Sequence, residues 1–441
     1  MKKQPQKSLK QRWRRFNEKR RLFIRRIKAK RSRTAFGDKP VIGVTGSVGK
    51  TSACAFLGHV LSKNFEVVRP QGGNTMQGNV GNTRRLTAES DMAVFEVAAG
   101  GPGTIAPQVK LIRPNVAIVT KISSDHYTAF RSLEATAKEK AELVRCLPAN
   151  GICFLNGDDV HVRAMRRHSP CKTLFFGESA DNDYRVHSIE ERGLAGIAFS
   201  ITAGEEEQRF EIAAIGTQII PSYAGSIACM HHLGLSLPKI AEWATDYVNA
   251  LGRCSLHQHT SRPIFINDTA KAPSGTLIEA FGVLAHVKAP RKTVFIGQIS
   301  DYAGSQASQY RKACKAADQH ADRIIMLREK ANSIRLHYEY SPETEFIRVD
   351  DARELAQLID DTAIEGEVIF LKSSLSIHCE RVIMNELKPI HCWRSKCPNA
   401  FPCTRCKHPF DPECATVEKE PEKRDWSQRD QAKLFPPWPK L

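Results

Sequence analysis

Val41-Ile42-Gly43-Val44-Thr45-Gly46-Ser47-Val48-Gly49-Lys50-Thr51-Ser52 carries the decisive reading, because the apolar stretch Ala53-Cys54-Ala55-Phe56-Leu57-Gly58-His59-Val60-Leu61 follows it directly. The pattern predicts a strand, a glycine-rich turn and a helix. In such a turn the amides of Gly46, Ser47, Val48 and Gly49 converge on phosphate oxygens, and the helix N-terminus adds partial positive charge. Lys50 then reaches the terminal phosphates, the Thr51 hydroxyl ligates Mg²⁺, and Ser52 continues the loop into the helix. An ordinary βα turn would require neither the lysine nor the threonine at this spacing. The chain is therefore expected to bind a nucleoside triphosphate.

Around this loop, 441 residues allow two or three domains with their own cores. The charge is uneven. Residues 1–33 contain 16 Lys or Arg against Glu18 alone, a net +15 out of the chain's +17, which leaves +2 for the remainder. A basic arm of residues 1–38 thus precedes a nearly neutral body. No apolar run reaches membrane-span length and the N-terminus lacks a signal-type apolar core. A cytoplasmic location is expected. Eight of the 13 cysteines are scattered from Cys54 to Cys379 without framework spacing, as for reduced thiols.

From Val41 onward strand-like runs alternate with helical stretches, which predicts α/β architecture built on parallel sheets. Ala93–Val97, Val116–Thr120 and Gly151–Leu155 read as buried strands, with an amphipathic helix over Ser132–Arg145. Residues 171–215 read as β-rich, with turns at Gly193 and Gly204. A helical segment from Tyr223 to Asn249 is expected to break near Pro238. After Gly252-Arg253 a second alternation begins, with strands at 264–266, 293–296, 323–327 and 368–371. These features divide the chain into 1–38, 39–250, 251–387 and a Cys- and Pro-rich tail, 388–441.

A phosphate loop does not name a reaction; its neighbours narrow it. Glu96 closes a predicted buried strand, at the sheet edge where open α/β folds bind ligands, and its carboxylate suits Mg²⁺. His126 follows the next strand and emerges on the same edge. Lys140 lies on the Ser132–Arg145 helix, one among many charges by its residue type alone.

GVTGSVGKTS, FEVAAGGPG, Pro114-Asn115-Val116 with Asp125-His126, SLEATAKEKAEL and Leu155-Asn156-Gly157-Asp158-Asp159 together resemble the ATP-binding central domain of the Mur ligases. They come in the same order, most like the muramoyl-tripeptide:D-alanyl-D-alanine ligase. The resemblance implies ATP as the nucleotide and Mg²⁺ held by Thr51, Glu96 and His126. It also implies that Lys140 is carbamylated and holds a second Mg²⁺. In the C-terminal block, Gly252-Arg253 resembles the family's entry motif, so Arg253 would reach the nucleotide. By the same likeness, Asp268 of Asn267-Asp268-Thr269-Ala270-Lys271 would bind the ribose or position the nucleotide, and Lys271 would meet the γ-phosphate or acyl phosphate. Ile296-Gly297-Gln298-Ile299 resembles the family's Gly-Asp/Glu-Met turn, and Leu371-Lys372-Ser373-Ser374 its Lys-Gly-Ser turn on the substrate side. The expected fold is thus a P-loop parallel-sheet central domain followed by a Rossmann-like C-terminal domain.

The resemblance covers Val41 to Leu387, and the basic arm is not expected to supply the family's UDP-sugar-binding first domain. The family's Asn-His turn gives way to Ala99-Gly100-Gly101, and its adenine-side residues to Gln218-Ile219 and Ser222. What it implies is ATP-dependent amide-bond formation. A carboxylate-bearing acceptor becomes an acyl phosphate, an amino acid or other amine attacks it, and ADP and phosphate leave. Lys50, His126, Lys140 and Lys271 would be the catalytic set. Two alternatives are a folylpolyglutamate- or poly-γ-glutamate-like ligase, and an ATP-binding scaffold without ligase activity, tethered by its arm.

In the arm, Trp13, Phe16, Leu22-Phe23 and Ile27 fall near one helical face among Lys and Arg. Such a helix suits an anionic membrane surface, giving a peripheral location, or a nucleic acid. In the tail, Cys392-x4-Cys397-x5-Cys403-x2-Cys406-x-His408-x5-Cys414 contains one CxxC and further soft ligands. Cys397, Cys403, Cys406 and Cys414 are the expected Zn²⁺ set, because zinc can fold a segment too small for its own core.

Overall fold

The computed structural model describes residues 9–123, 127–258, 263–302, 304–333, 341–394, 397, 402–406 and 408–411. They form two compact units, the first built mainly from the chain up to His187 and the second mainly from Thr245 onward, with the division falling inside residues 188–244.

One sheet has the strands β1 (Val41–Thr45), β2 (Val67–Val68), β3 (Met92–Glu96), β4 (Val116–Val119), β5 (Ile152–Asn156), β6 (Lys172–Gly177), β7 (Tyr184–Glu191), β8 (Ile197–Ala203) and β9 (Glu206–Ile212), in spatial order β2-β3-β1-β4-β5-β6-β7-β8-β9, and β1 to β6 lie wholly in the first unit. β1 pairs in parallel with both β3 and β4, so it sits in the middle of the sheet. All five of its residues are buried. A strand covered on both faces must be apolar throughout, as Val41-Ile42-Gly43-Val44 is. Phe95, Ala117, Val119 and Leu155 join one core layer with the helices Ile105–Ile112 and Leu133–Arg145.

The basic arm continues as a helix, Leu9–Ala35, whose inward residues dock on this unit. Ala29 packs with Val80 and Leu111. Arg33 donates to the carbonyls of Ile112, at 2.6 Å, and Arg113, at 2.8 Å, and so caps the C-terminus of the helix Ile105–Ile112. On the opposite face Phe23, Ile24 and Ile27 are exposed. The side chains of Trp13 and Phe16 lie outside the described residues.

The second unit has strands β10 (Ser255–Gln258), β11 (Ile264–Asp268), β12 (Lys292–Ile296), β13 (Arg323–Leu327), β14 (Glu345–Val349) and β15 (Val368–Lys372), in order β10-β11-β15-β12-β13-β14. Only β10 is antiparallel to its neighbour. The two-residue period of a strand separates the two cores cleanly. Ile266, Val294, Ile296, Ile324 and Phe370 face one, while Phe265, Phe295, Ile325, Ile369 and Leu371 face the other.

One expected boundary moves. The helical stretch after Tyr223 breaks at 233–236, between the helices Ile220–His232 and Leu237–Ala244. Gly234, at φ 99°, ends the first helix. Pro238 lies in the first turn of the second, where its missing N–H would have had no helical partner anyway.

Candidate active site

The phosphate loop is shaped by its surroundings. Gly46 has φ +149°, and a Cβ there would fall 2.0 Å from Thr120 Oγ1. Gly49 is left-handed, at φ +86°, and begins the helix Lys50–Leu61. Only glycine fits both demands. The end of β4 holds the loop: the Thr120 hydroxyl donates to the Val48 carbonyl at 2.5 Å, and the Ser47 amide donates to the Lys121 carbonyl at 2.6 Å. Asn156 and Asp159, at the end of β5, brace that segment in turn. The Asn156 amide donates to the Thr120 carbonyl at 2.7 Å, and Asp159 accepts the Ile122 amide at 2.7 Å.

Thr51 and Glu96 meet at the loop. β1 and β3 are in register, with Val44 opposite Glu96, so the carboxylate emerges beside the start of the helix that carries Thr51. Thr51 Oγ1 donates to Glu96 Oε2 at 3.0 Å. Asn74 Nδ2 donates to Glu96 Oε1 at 2.7 Å, and Asn79 Nδ2 to the Glu96 carbonyl at 3.2 Å. A hydroxyl and a buried carboxylate side by side are hard oxygen donors of the kind Mg²⁺ takes.

Lys50 and Lys140 converge as well. Lys50 Nζ donates to the Gly46 carbonyl at 2.5 Å and to the Ser47 carbonyl at 3.2 Å. Lys140 comes from the helix Leu133–Arg145, whose N-cap is Ser132, and is 1% exposed. Its Nζ donates to the same Gly46 carbonyl, at 2.9 Å. Periodicity alone offers no reason to select this lysine from its helix; burial at the loop does. The preceding residue, Glu139, accepts the amides of Gly103, at 2.7 Å, and Ile105, at 2.8 Å, and thereby holds the turn after Glu96. His126 lies outside the described residues.

In the second unit the remaining expected residues gather where β11, β12 and β15 end. Lys372 forms a buried ion pair with Asp268, the residue opposite it in the β11–β15 register, and also donates to the Lys271 carbonyl at 3.3 Å. Lys271 Nζ lies 3.7 Å from Asp301. Gly252 accepts the Ala270 amide at 3.1 Å, which ties the Gly252-Arg253 turn to the Asp268 loop. The Gly297-Gln298 turn is stitched to the Lys372-Ser373-Ser374 turn, with the Gln298 amide donating to Ser373 Oγ at 3.1 Å. A Cβ on Gly297 would lie 2.5 Å from that oxygen. Lys372 and Ser373 thus prove to be structural partners of Asp268 and Gly297, a role that their positions over a hundred and some seventy-five residues apart conceal.

His257, on β10, is buried and bonded to Ser255 Oγ at 2.8 Å. Burial pushes its pKa down to about 4. Because the folded value lies below the unfolded value of about 6.5, the unfolded chain binds the extra proton between these limits. Stability is therefore present above pH 6.5 and falls by up to about 3 kcal/mol as pH drops to 4. Urea melts monitored in the second unit should show this slope, and H257Q should flatten it; parallel slopes would refute the assignment.

Of the expected zinc set, Cys403 is buried, Cys397 and Cys406 are half-buried, and Cys414 lies outside the described residues. Among the described residues, the cluster within metal-ligand distance is Cys403 with His378 and Glu380; neither Cys397 nor Cys406 belongs to it. His378 and Glu380 were not expected as partners, since they stand more than twenty residues before the CxxC.

Comparison with known proteins finds similar chains and the same fold. Residues 44–230 match the Mur ligase middle domain family. A UDP-N-acetylmuramoyl-tripeptide–D-alanyl-D-alanine ligase of Mycobacterium bovis is 28% identical over 46% of this chain, and the match spans 40% of that relative's length. The enzyme of the same name from Escherichia coli is 28% identical over 67% of this chain and 66% of its own. Among solved structures, the MurF ligase of Thermotoga maritima in complex with ADP superposes with a TM-score of 0.70, at 21% identity, over 82% of this chain and 83% of that one. The expected α/β fold is borne out.

Proposed function

We propose that this chain, which carries a Mur ligase middle domain over residues 44–230, is an ATP-dependent amide ligase that activates a carboxylate as an acyl phosphate and joins it to an amino acid or other amine. The observation that carries the reading is the meeting of Lys50, Thr51, Glu96 and Lys140 around one phosphate loop. A structural βα turn would have no use for two buried lysines and a carboxylate there.

The chemical difficulty is charge, since an anionic carboxylate must approach an anionic γ-phosphate. The loop amides and Lys50 draw electron density from the terminal phosphates. The acceptor's carboxylate oxygen then bonds to the γ-phosphorus as the bond to the β-phosphate oxygen breaks, and ADP departs. The amine nitrogen next attacks the acyl carbon; the C–O bond to phosphate breaks and the amine loses a proton. Thr51 and Glu96 would hold Mg²⁺, with His126 as a further ligand by the family likeness, and the ion would supply neutralisation of the phosphate charge. Arg253, Asp268 and Lys271 are assigned to the nucleotide and acyl-phosphate side. The relatives' names suggest a D-alanyl-D-alanine-like dipeptide as one candidate amine.

The test is ADP release measured across a panel of amino acids and dipeptides with candidate acids, and mass spectrometry of the product. Release stimulated by one amine, with a new amide of matching mass, is expected. Steady ADP formation indifferent to every amine would refute the proposal. For the metal, Glu96→Gln should raise the Mg²⁺ concentration needed for half-maximal rate by about tenfold or more, through loss of one charged oxygen ligand. An unchanged Mg²⁺ titration removes Glu96 from the ligand set.

For the arm we favour an anionic bilayer surface. Phe23, at 65% exposed, stands with Ile24 and Ile27 on the outward face of a helix rich in Arg and Lys. The full chain should sediment with vesicles containing phosphatidylglycerol, and much less with pure phosphatidylcholine. Equal binding to both, or to neither, rules this out.

A further inference from the structure

We propose that His378, Glu380 and Cys403 form a zinc site in the second unit, with the neighbouring Cys406, whose sulfur stands outside that cluster, turning in as fourth ligand when the ion binds. The three side chains come from separate turns. β15 ends at Lys372, the 3-10 helix Leu375–Ile377 follows, and His378 ends it in the left-handed region, at φ 49°. Glu380 opens the helix Glu380–Leu387. Cys403 begins a 3-10 turn, Cys403–Arg405, in a segment that returns to the same place.

The spacing is that of a tetrahedral ion's ligands. Zinc bonds of about 2.0–2.1 Å to nitrogen and oxygen and about 2.3 Å to sulfur imply edges of about 3.3 Å for N···O and about 3.6 Å for N···S. His378 Nδ1 lies 3.1 Å from Glu380 Oε1 and 3.5 Å from Cys403 Sγ, and all three ligand atoms are within 4.8 Å of one another. All three residues are buried.

A hydrogen-bonded cluster alone leaves one group unexplained. Glu380 Oε1 accepts the Cys403 amide at 2.8 Å, but Oε2, equally buried, has no hydrogen-bond partner among the described residues. Buried carboxylate oxygens are rarely left so. A cation held by this carboxylate would balance the charge that the unpartnered oxygen shares.

The surroundings suit thiolate ligation. Arg381, 1% exposed, donates from Nε to Cys403 Sγ at 3.1 Å and from Nη1 to the Arg394 carbonyl at 2.8 Å. Such outer donors orient and stabilise a metal-bound sulfur. Cys406 follows in the same CxxC turn, with its amide donating to the Cys403 carbonyl at 2.9 Å and its sulfur accepting the His408 amide. Charges then balance: the ion's two and Arg381's one equal the three of Glu380, Cys403 and Cys406. Two sulfurs with one imidazole favour zinc over a hard cation. The bound ion would tie the returning segment to the turn that follows Lys372.

The test is the zinc content of the full chain, purified from zinc-supplemented medium and desalted, with ADP binding by the first unit as the control for folding. One zinc per chain is expected. E380Q and C403S should each lower it at least tenfold, C406S should lose zinc to a chelator at least tenfold faster, and C397S should keep it. A folded wild-type chain without zinc overturns the proposal, as does zinc retained by E380Q and C403S. Zinc lost in C397S but kept in E380Q would mean an all-cysteine site and overturns it equally. If the variants are insoluble, Co²⁺ loading of the wild-type chain decides. Tetrahedral ligand-field bands with thiolate charge transfer support the site, and an octahedral spectrum overturns it. None of these outcomes depends on ligase activity.

Discussion

Lys50→Ala is expected to reduce amine-dependent ADP formation by about 10³-fold, the scale of loss seen when a preorganised charge facing a reacting oxyanion is removed. Lys50 begins a helix on a loop with two restrictive glycines, and its Nζ sits over the carbonyls of Gly46 and Ser47. The ammonium group therefore has little freedom to lose when it meets a phosphate, and its interaction strengthens as charge builds on the γ-phosphoryl oxygens. The helix Lys50–Leu61 is held mainly by buried Ala53, Phe56, Leu57 and Val60, so the variant should keep its melting temperature within a few degrees. Turnover of K50A equal to wild type would remove the loop from the chemistry. A wild-type chain that binds ATP but never turns over would instead support a scaffold.

The second large effect is at Lys140. Its Nζ and that of Lys50 donate to the same carbonyl, at 2.9 and 2.5 Å, so the two nitrogens are at most 5.4 Å apart. Two ammonium charges at that separation repel by about 3 kcal/mol at an effective dielectric constant near 20. Reaction of the neutral Lys140 amine with CO₂ forms an N–C bond, releases a proton and leaves a carbamate, turning repulsion into attraction of similar size. The modified lysine would then offer two oxygens for a divalent cation. ADP formation should fall by about tenfold or more in CO₂-depleted buffer and recover with bicarbonate. Lys140→Ala should fall by about 10²-fold or more and gain nothing from bicarbonate. A bicarbonate-independent wild type, or an active K140A, would sink this role.

Legibility differed by range. Parallel strands buried on both faces announce themselves as apolar runs, so β3, β4, β5, β11, β12, β13 and β15 are readable to within two residues, and β1 by its start. β2 has two residues and β10 four, too short for any period, and β14 reads Glu345-Phe-Ile-Arg-Val349, where charge obscures the alternation. Asn74, which reaches Glu96 from 22 residues away, had no local signature. By residue type Glu139 is one of several acids on its helix; only the fold sets its carboxylate on the amides of Gly103 and Ile105.

The chain alone determined the phosphate loop, its flanking strand and helix, and the α/β succession, because these follow from backbone sterics and from side-chain period within a few neighbours. Tertiary structure decided which of many lysines stands at Gly46, that Asp268 is partnered by Lys372, and that Cys403 meets His378 and Glu380. Those are contacts between groups 23 to 104 residues apart. Their free energy depends on burial and on the distance between charges, and neither quantity exists until the sheets have brought the strand ends together.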